Sequence, residues 1–153
     1  MGRAEIVKPY VEKTLKEFFN TDQLVVTERG EWPVRHGSAL YFVRLIDSDP
    51  PAVQIYSPML EAVQQSDAAF RRINELNSEI RFARMFMVDD KIFVATEVVA
   101  DTLDKGELAN AIMAVANIAD GLDVQLKGEL GGTIAFDDTP APQVPDRPAP
   151  GYA

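Results

Sequence analysis

Cysteine is absent from this chain, which removes disulfides, thiol nucleophiles and thiolate metal sites. Histidine occurs once, as His36, so clusters of imidazole ligands and two-histidine acid–base pairs are excluded as well. No apolar run approaches the roughly 18 residues of a membrane span. The segment Met1-Gly2-Arg3-Ala4-Glu5 becomes amphipathic without an apolar core, so a secretory signal is not expected. N-myristoylation after Gly2 would need serine or threonine where Ile6 stands. Basic residues are the minority, 15 against 24 acidic, for a net charge of −9. A field of that sign repels nucleic-acid phosphates and anionic lipid. Arg71, Arg72, Arg81 and Arg84 form one loose basic group that reads as solvated helix and sheet-face charge. The expectation is a cytoplasmic protein with neither nucleic acid nor membrane as partner.

Reactive constellations are also scarce. Asp89-Asp90 and Asp137-Asp138 are the closest carboxylate pairs, but both sit where turns or tails are expected, and acid–base work needs buried, tuned groups. Asp47-Ser48-Asp49 lacks the spaced ligands and distal glutamate of a calcium loop, and Pro50-Pro51 makes it an ordinary turn. Gly128, Gly131 and Gly132 follow a helix rather than precede one, so they do not cradle phosphate. Ser38 has no nucleophile motif around it, and its only base, His36, shares its side only if the strand is regular through Gly37. Trp32, Tyr41, Phe42 and Tyr56 imitate a base-stacking sheet without the basic residues such a platform needs. The chain is read as non-enzymatic, with no catalytic, cofactor or metal residues.

What the sequence does have is a clear succession of elements. Val7, Val11, Leu15, Phe18 and Phe19 recur at helical spacing, with Ile6 and Tyr10 widening the stripe and Pro9 opening or bending its start. Leu24-Val25-Val26-Thr27 reads as a short strand, Glu28-Arg29-Gly30-Glu31 as a hairpin turn and Trp32 to Arg35 as a return strand. Ala39 to Ile46 is the strongest strand. After Asp47-Ser48-Asp49-Pro50-Pro51, Ala52 to Tyr56 should pair with it antiparallel and stop at Ser57-Pro58. A second helix runs from Asp67 to Leu76, capped by Ser66 and buried through Phe70, Ile73 and Leu76, with Asn77 at its exit.

Ile80 to Val88 alternates and returns through Asp89-Asp90-Lys91 as Ile92 to Val99, the clearest hairpin of the chain. Met85, Met87, Phe93 and Ala95 are placed opposite Phe82, Phe86, Val94 and Val98, so both faces read as apolar. Such a pair is normally covered on both sides. With few helices to do the covering, a partner subunit or a bound peptide is the natural candidate, and a single bulky core is the alternative that gives the same pattern. Asp104 caps a last helix, with Glu107 three residues on. Its apolar side runs from Leu108 through Leu130, Gly121 reads as a bend, Gly131-Gly132 stops it, and its C-terminal half is expected to reach out toward a partner. The domain is set at residues 1–132. Residues 133–153, with five of the ten prolines, form a tail without a core, in which Pro142-Gln143-Val144-Pro145 has the spacing of a proline-recognition motif.

The fold class is α+β, in the order helix, three strands, helix, two strands, helix, with an antiparallel sheet against the helices. That order is similar to the type III secretion chaperone fold. The sequence resembles the actinobacterial YbjN-like family, grouped with CesT-type peptide-binding chaperones. The resemblance is carried by Trp32-Pro33-Val34-Arg35, by Gly37 to Arg44, by Val53-Gln54-Ile55-Tyr56-Ser57-Pro58, by Leu76 to Arg84 and by the helix from Glu107 to Asp120. It implies a homodimeric scaffold that holds a segment of another protein and brings no catalytic residue. The alternative is a regulatory or structural homodimer without a client, as the family's sensory-transduction label suggests. On physical grounds the candidate protein-binding residues are Arg81, Phe82, Arg84, Met85 and Phe93. The plainer role for Phe82, Met85 and Phe93 is core or dimer interface.

Overall fold

The computed structural model describes residues 2–36, with His36 as backbone only, and residues 39–136. The order is α1 (Arg3–Phe19), β1 (Trp32–His36), β2 (Ala39–Ile46), β3 (Ala52–Glu61), α2 (Asp67–Glu79), β4 (Arg84–Val88), β5 (Lys91–Val99), α3 (Lys105–Leu130) and β6 (Thr133–Ile134). The strands form one sheet in the order β1-β2-β3-β5-β4, antiparallel throughout, with β6 pairing the end of β3. This is the expected α+β architecture. On one face, alternate residues Trp32, Val34, Tyr41, Val43, Val53, Ile55, Ile92 and Val94 join Leu108, Ile112 and Val115 of α3 and Val11 and Leu15 of α1 in one core. The opposite parity of each strand faces away from the helices.

Several boundaries differ from the sequence reading. Leu24 to Thr27 is not a strand. The turn after it does close, with Thr27 N–H donating to Glu31 O at 2.8 Å and Gly30 N–H to Thr27 O at 2.9 Å. However, Val26 is exposed, and no burial rewards the β-branched run. β3 continues through Ser57-Pro58 to Glu61, with a bulge between Pro58 and Leu60, the kind of irregularity that accommodates a proline without a donor. In α1, Pro9 lies inside the helix, Ile6 is exposed, and Tyr10, outside the core, donates from its hydroxyl to Leu103 O.

α2 extends past Leu76 to Glu79 and buries Ala69, Ile73 and Leu76, while Phe70 is 48% exposed. Ala69 is the residue on the i, i+4, i+7 line, so the larger ring is rotated outward. Ser66 caps the helix as expected, accepting from Ala69 N at 3.1 Å. The strand expected from Ile80 begins only at Arg84, because Phe82 takes a left-handed backbone (φ 65°). The apparent alternation therefore runs across a break.

The two-residue turn at Asp89-Asp90 sets Val88 opposite Lys91, Phe86 opposite Phe93 and Met85 opposite Val94. Phe93 and Ala95 thus share a face with Phe86, not with Met85 and Met87 as the sequence suggested. α3 begins where Asp104 Oδ1 accepts from Glu107 N at 2.7 Å, and runs unbroken through Gly121 to Gly131 (φ 78°). Its C-terminal half does not project. Ala119, Asp123 and Leu126 are buried, and Arg72 of α2 holds Glu129 at 2.6 Å. The sheet also takes in residues assigned to the tail: Ile134 pairs with Leu60, and Ala135 N–H donates to Met59 O at 3.0 Å. Residues 137–153, including Asp137-Asp138 and all five tail prolines, lie outside the described residues, as do Gly37 and Ser38.

Candidate functional site

Two surfaces stand out, on opposite faces of the sheet. The first is a groove of about 790 Å³ on the helix side, between α3 and the segment that leads from α2 into β4. Ile80, Arg81 and Phe82 form one wall, Thr96, Glu97 and Val98 of β5 the floor, and Asn110, Met113, Ala114, Asn117 and Ile118 of α3 the other wall. It exists because β4 stops short. Pairing along β5 ends at Arg84 opposite Ala95, and the chain then swings away through Phe82. That leaves the outer edge of β5 beyond Ala95 facing the groove. Phe82, 85% exposed, stands at its lip. Its ring extends the apolar lining of the groove to the surface.

The second surface is the helix-free sheet face. Phe86 stacks on Phe93 (5.6 Å between centroids), Phe93 meets Tyr56 (6.5 Å), Tyr56 stacks on Phe42 (5.4 Å) and Phe42 meets Phe136 (6.1 Å). Five rings thus cross four strands, each half-buried. Arg44 lies over Tyr56 at 5.0 Å and Arg84 over Phe86 at 5.6 Å, cation–π contacts that keep the guanidinium groups on the ring faces. Arg44 donates to Gln54 at 2.6 Å, Arg84 to Glu97 at 2.8 Å and Tyr56 to Glu31 at 2.5 Å. At the Phe136 end the rings line a cavity of about 460 Å³ shared with Arg29, Glu31 and Lys91.

The residues singled out from sequence divide among three places. Arg81 and Phe82 line the groove. Arg84 and Phe93 lie on the open face, bonded to Glu97 and stacked on Phe86. Met85 is 2% exposed and belongs to the core, so it is withdrawn from any binding surface. Of the four residues compared with a stacking platform, only Phe42 and Tyr56 lie on the open face, while Trp32 and Tyr41 are core. Sequence reasoning missed Phe86, Phe136 and the α3 wall. The signals were the two-residue turn, which fixes Phe86 against Phe93, and a minor apolar stripe of Met113, Ala114 and Ile118 beside the main one.

Tyr56, Glu97 and Glu129 are each tuned by a structural partner. Burial, then the hydrogen bond to Glu31, raises Tyr56 and keeps it neutral. The bond from Arg84 lowers Glu97 despite some opposing desolvation. Bonds from Gln125 and then Arg72 lower Glu129. Among the described residues no three metal-ligating side chains gather, and no helix is long and apolar enough to cross a membrane.

The family model described as T3SS (YopN, CesT) and YbjN peptide-binding chaperone 1 matches residues 5–138. No curated protein matches the chain. The fold is similar to that of a chain in the crystal structure of the ExsC–ExsE complex, at 13% identity and a TM-score of 0.62, covering 77% of this chain and 94% of that one. At that identity the likeness is one of fold.

Proposed function

This chain belongs to the T3SS (YopN, CesT) and YbjN peptide-binding chaperone family, and from that premise we propose that it holds an extended client segment in the groove between α3 and Ile80–Phe82. The chain is a non-enzymatic, chaperone-like binding module. The single observation that carries the proposed site is Phe82, 85% exposed at the mouth of an apolar groove whose floor is an unpaired strand edge. An extended segment pairs there with β5 by main-chain hydrogen bonds, and its alternate side chains enter between Phe82 and Met113. Arg81, Glu97, Glu107 and Asn117 on the rim supply polar partners. The fold relative comes from a complex of two proteins, which supports a protein ligand over a small molecule.

Peptides selected from a random display library against the full chain test this reading. Ala114→Trp fills the groove, and Phe82→Ala removes its lip. Each is expected to weaken selected peptides at least tenfold with the melting temperature unchanged. Peptides that bind both variants like the unaltered protein place the client elsewhere.

Homodimerisation in the cytoplasm accompanies this proposal. It is favoured by β4, an outer strand of the sheet whose Met87 backbone groups face away from β5. Sedimentation equilibrium with Met87→Pro decides it, since proline on that edge blocks pairing between copies.

A further inference from the structure

The helix-free face is unusual in its chemistry, because an antiparallel sheet commonly leaves one side to water but seldom lays a row of rings along it. We propose that this aromatic row is a docking surface for proline-rich extended chain, and that its resident occupant is the protein's own segment 137–153. The geometry of the last described residues points there. Thr133 and Ile134 run antiparallel to β3, and Ala135 is bonded to Met59, so the chain travels back along β3 toward Tyr56. At Phe136 the backbone turns through a left-handed conformation (φ 62°), and the Phe136 ring is set against Phe42 at the end of the row. The chain therefore leaves the described fold on top of the surface in question.

Segment 137–153 has the right chemistry and reach. Prolines stand at 140, 142, 145, 148 and 150. Proline-rich chain adopts the extended polyproline form at about 3.1 Å per residue without internal hydrogen bonds, and packs its rings on aromatic ridges at low entropic cost. Four residues take it roughly 12 Å from Phe136 to Pro140. The row from β2 to β4 spans three strand spacings, about 14 Å, so the five prolines cover it with length to spare. Tethering supplies an effective concentration on the order of millimolar, enough for contacts too weak to hold a free peptide. Charge does not choose the occupant, since Arg29 and Lys91 share the cavity rim with Glu28, Glu31 and Glu61. Stacking of proline on Phe42, Tyr56 and Phe93 does.

Ring-proton NMR on the full chain tests this. Pro140→Ser, Pro142→Ser, Pro145→Ser, Pro148→Ser and Pro150→Ser are combined in one variant. It should shift the Phe42, Tyr56, Phe86 and Phe93 resonances while leaving Phe82 and Phe18 in place. A synthetic peptide of residues 137–153 should then restore those shifts saturably. Rings that do not move, or shifts at Phe82 instead, overturn the proposal. A second measurement uses the absence of native cysteine: a nitroxide on Ala141→Cys should broaden the Phe42, Tyr56 and Phe93 rings of its own molecule. Broadening confined to an isotope-labelled partner copy without the nitroxide overturns the intramolecular occupant.

Discussion

Asn77 in α2 grips the backbone of Met85 at two points: its Oδ1 accepts from Met85 N at 2.8 Å, and its Nδ2 donates to Met85 O at 2.9 Å. A side-chain amide thus takes the place of a neighbouring strand at Met85, leaving the outward groups of Met87 on the same edge of β4 for pairing. The sequence marked Asn77 only as a helix exit. Asn77→Ala leaves a donor and an acceptor of a 2%-exposed residue unsatisfied, at about 1–3 kcal/mol. Urea denaturation should show that loss. Asn77→Asp keeps the acceptor and loses the donor, so it should fall between.

Gly132 has φ 80°, and a Cβ there would meet Glu61 O at 2.4 Å and Val63 Cγ2 at 2.8 Å. Gly131 shares the positive φ, but nothing lies within 4 Å of its Cβ position. Gly131→Ala should therefore carry the conformational cost alone, about 1–3 kcal/mol. Gly132→Ala must also push β6 off β3, and is expected to cost more. Thermal melts of the two variants make the comparison, and faster hydrogen exchange at the Ala135 amide in Gly132→Ala alone identifies the detachment. Equal costs would show that the close approach carries no weight.

The fold was legible where local chemistry and burial agree. Ser66 and Asp104 cap their helices, Gly131 ends α3, and Asp89-Asp90 turns the hairpin. It was illegible where a tertiary partner decides. Pro58 reads as a stop, yet β3 continues because β5 flanks it and a bulge absorbs the irregularity. Leu24 to Thr27 has strand composition yet stays out of the sheet, with Val25 and Val26 exposed. Ile80 to Val88 alternates without a gap, and nothing in that pattern discloses the left-handed Phe82. The same break opens the groove, which is why Arg81 and Phe82 were found as residues while the site they line was not.

Tyr56 gives a pH signature for the open face. Burial first, and the Glu31 hydrogen bond second, push its phenol above the ordinary value near 10. The folded state therefore favours the neutral form. That contribution is fully present below the unfolded pKa and is lost as pH rises through the folded one. Spectrophotometric titration of the unaltered chain minus Tyr56→Phe should isolate a tyrosinate that appears only above pH 10. The stability difference between the two should stay constant through neutral pH and shrink in the alkaline range. A difference absorbance rising at the ordinary value would mean that the Glu31 contact does not hold in solution.

Phe82 separates binding from folding more cleanly than any other residue. Its ring is 85% exposed and its backbone is left-handed, a conformation that costs a non-glycine residue about 1–2 kcal/mol. Phe82→Gly removes that strain but gains chain entropy in the unfolded state, two effects of similar size and opposite sign. The melting temperature should therefore stay close to that of the unaltered protein. With the client in the proposed groove, affinity for groove-binding peptides should fall at least tenfold, because the aromatic wall at its mouth is gone. A residue kept only for packing would show the reverse, a clear loss of stability with peptide affinity intact. That outcome would move Phe82 from the binding surface to the scaffold and leave the α3 wall, probed by Ala114→Trp, as the test of where the client lies.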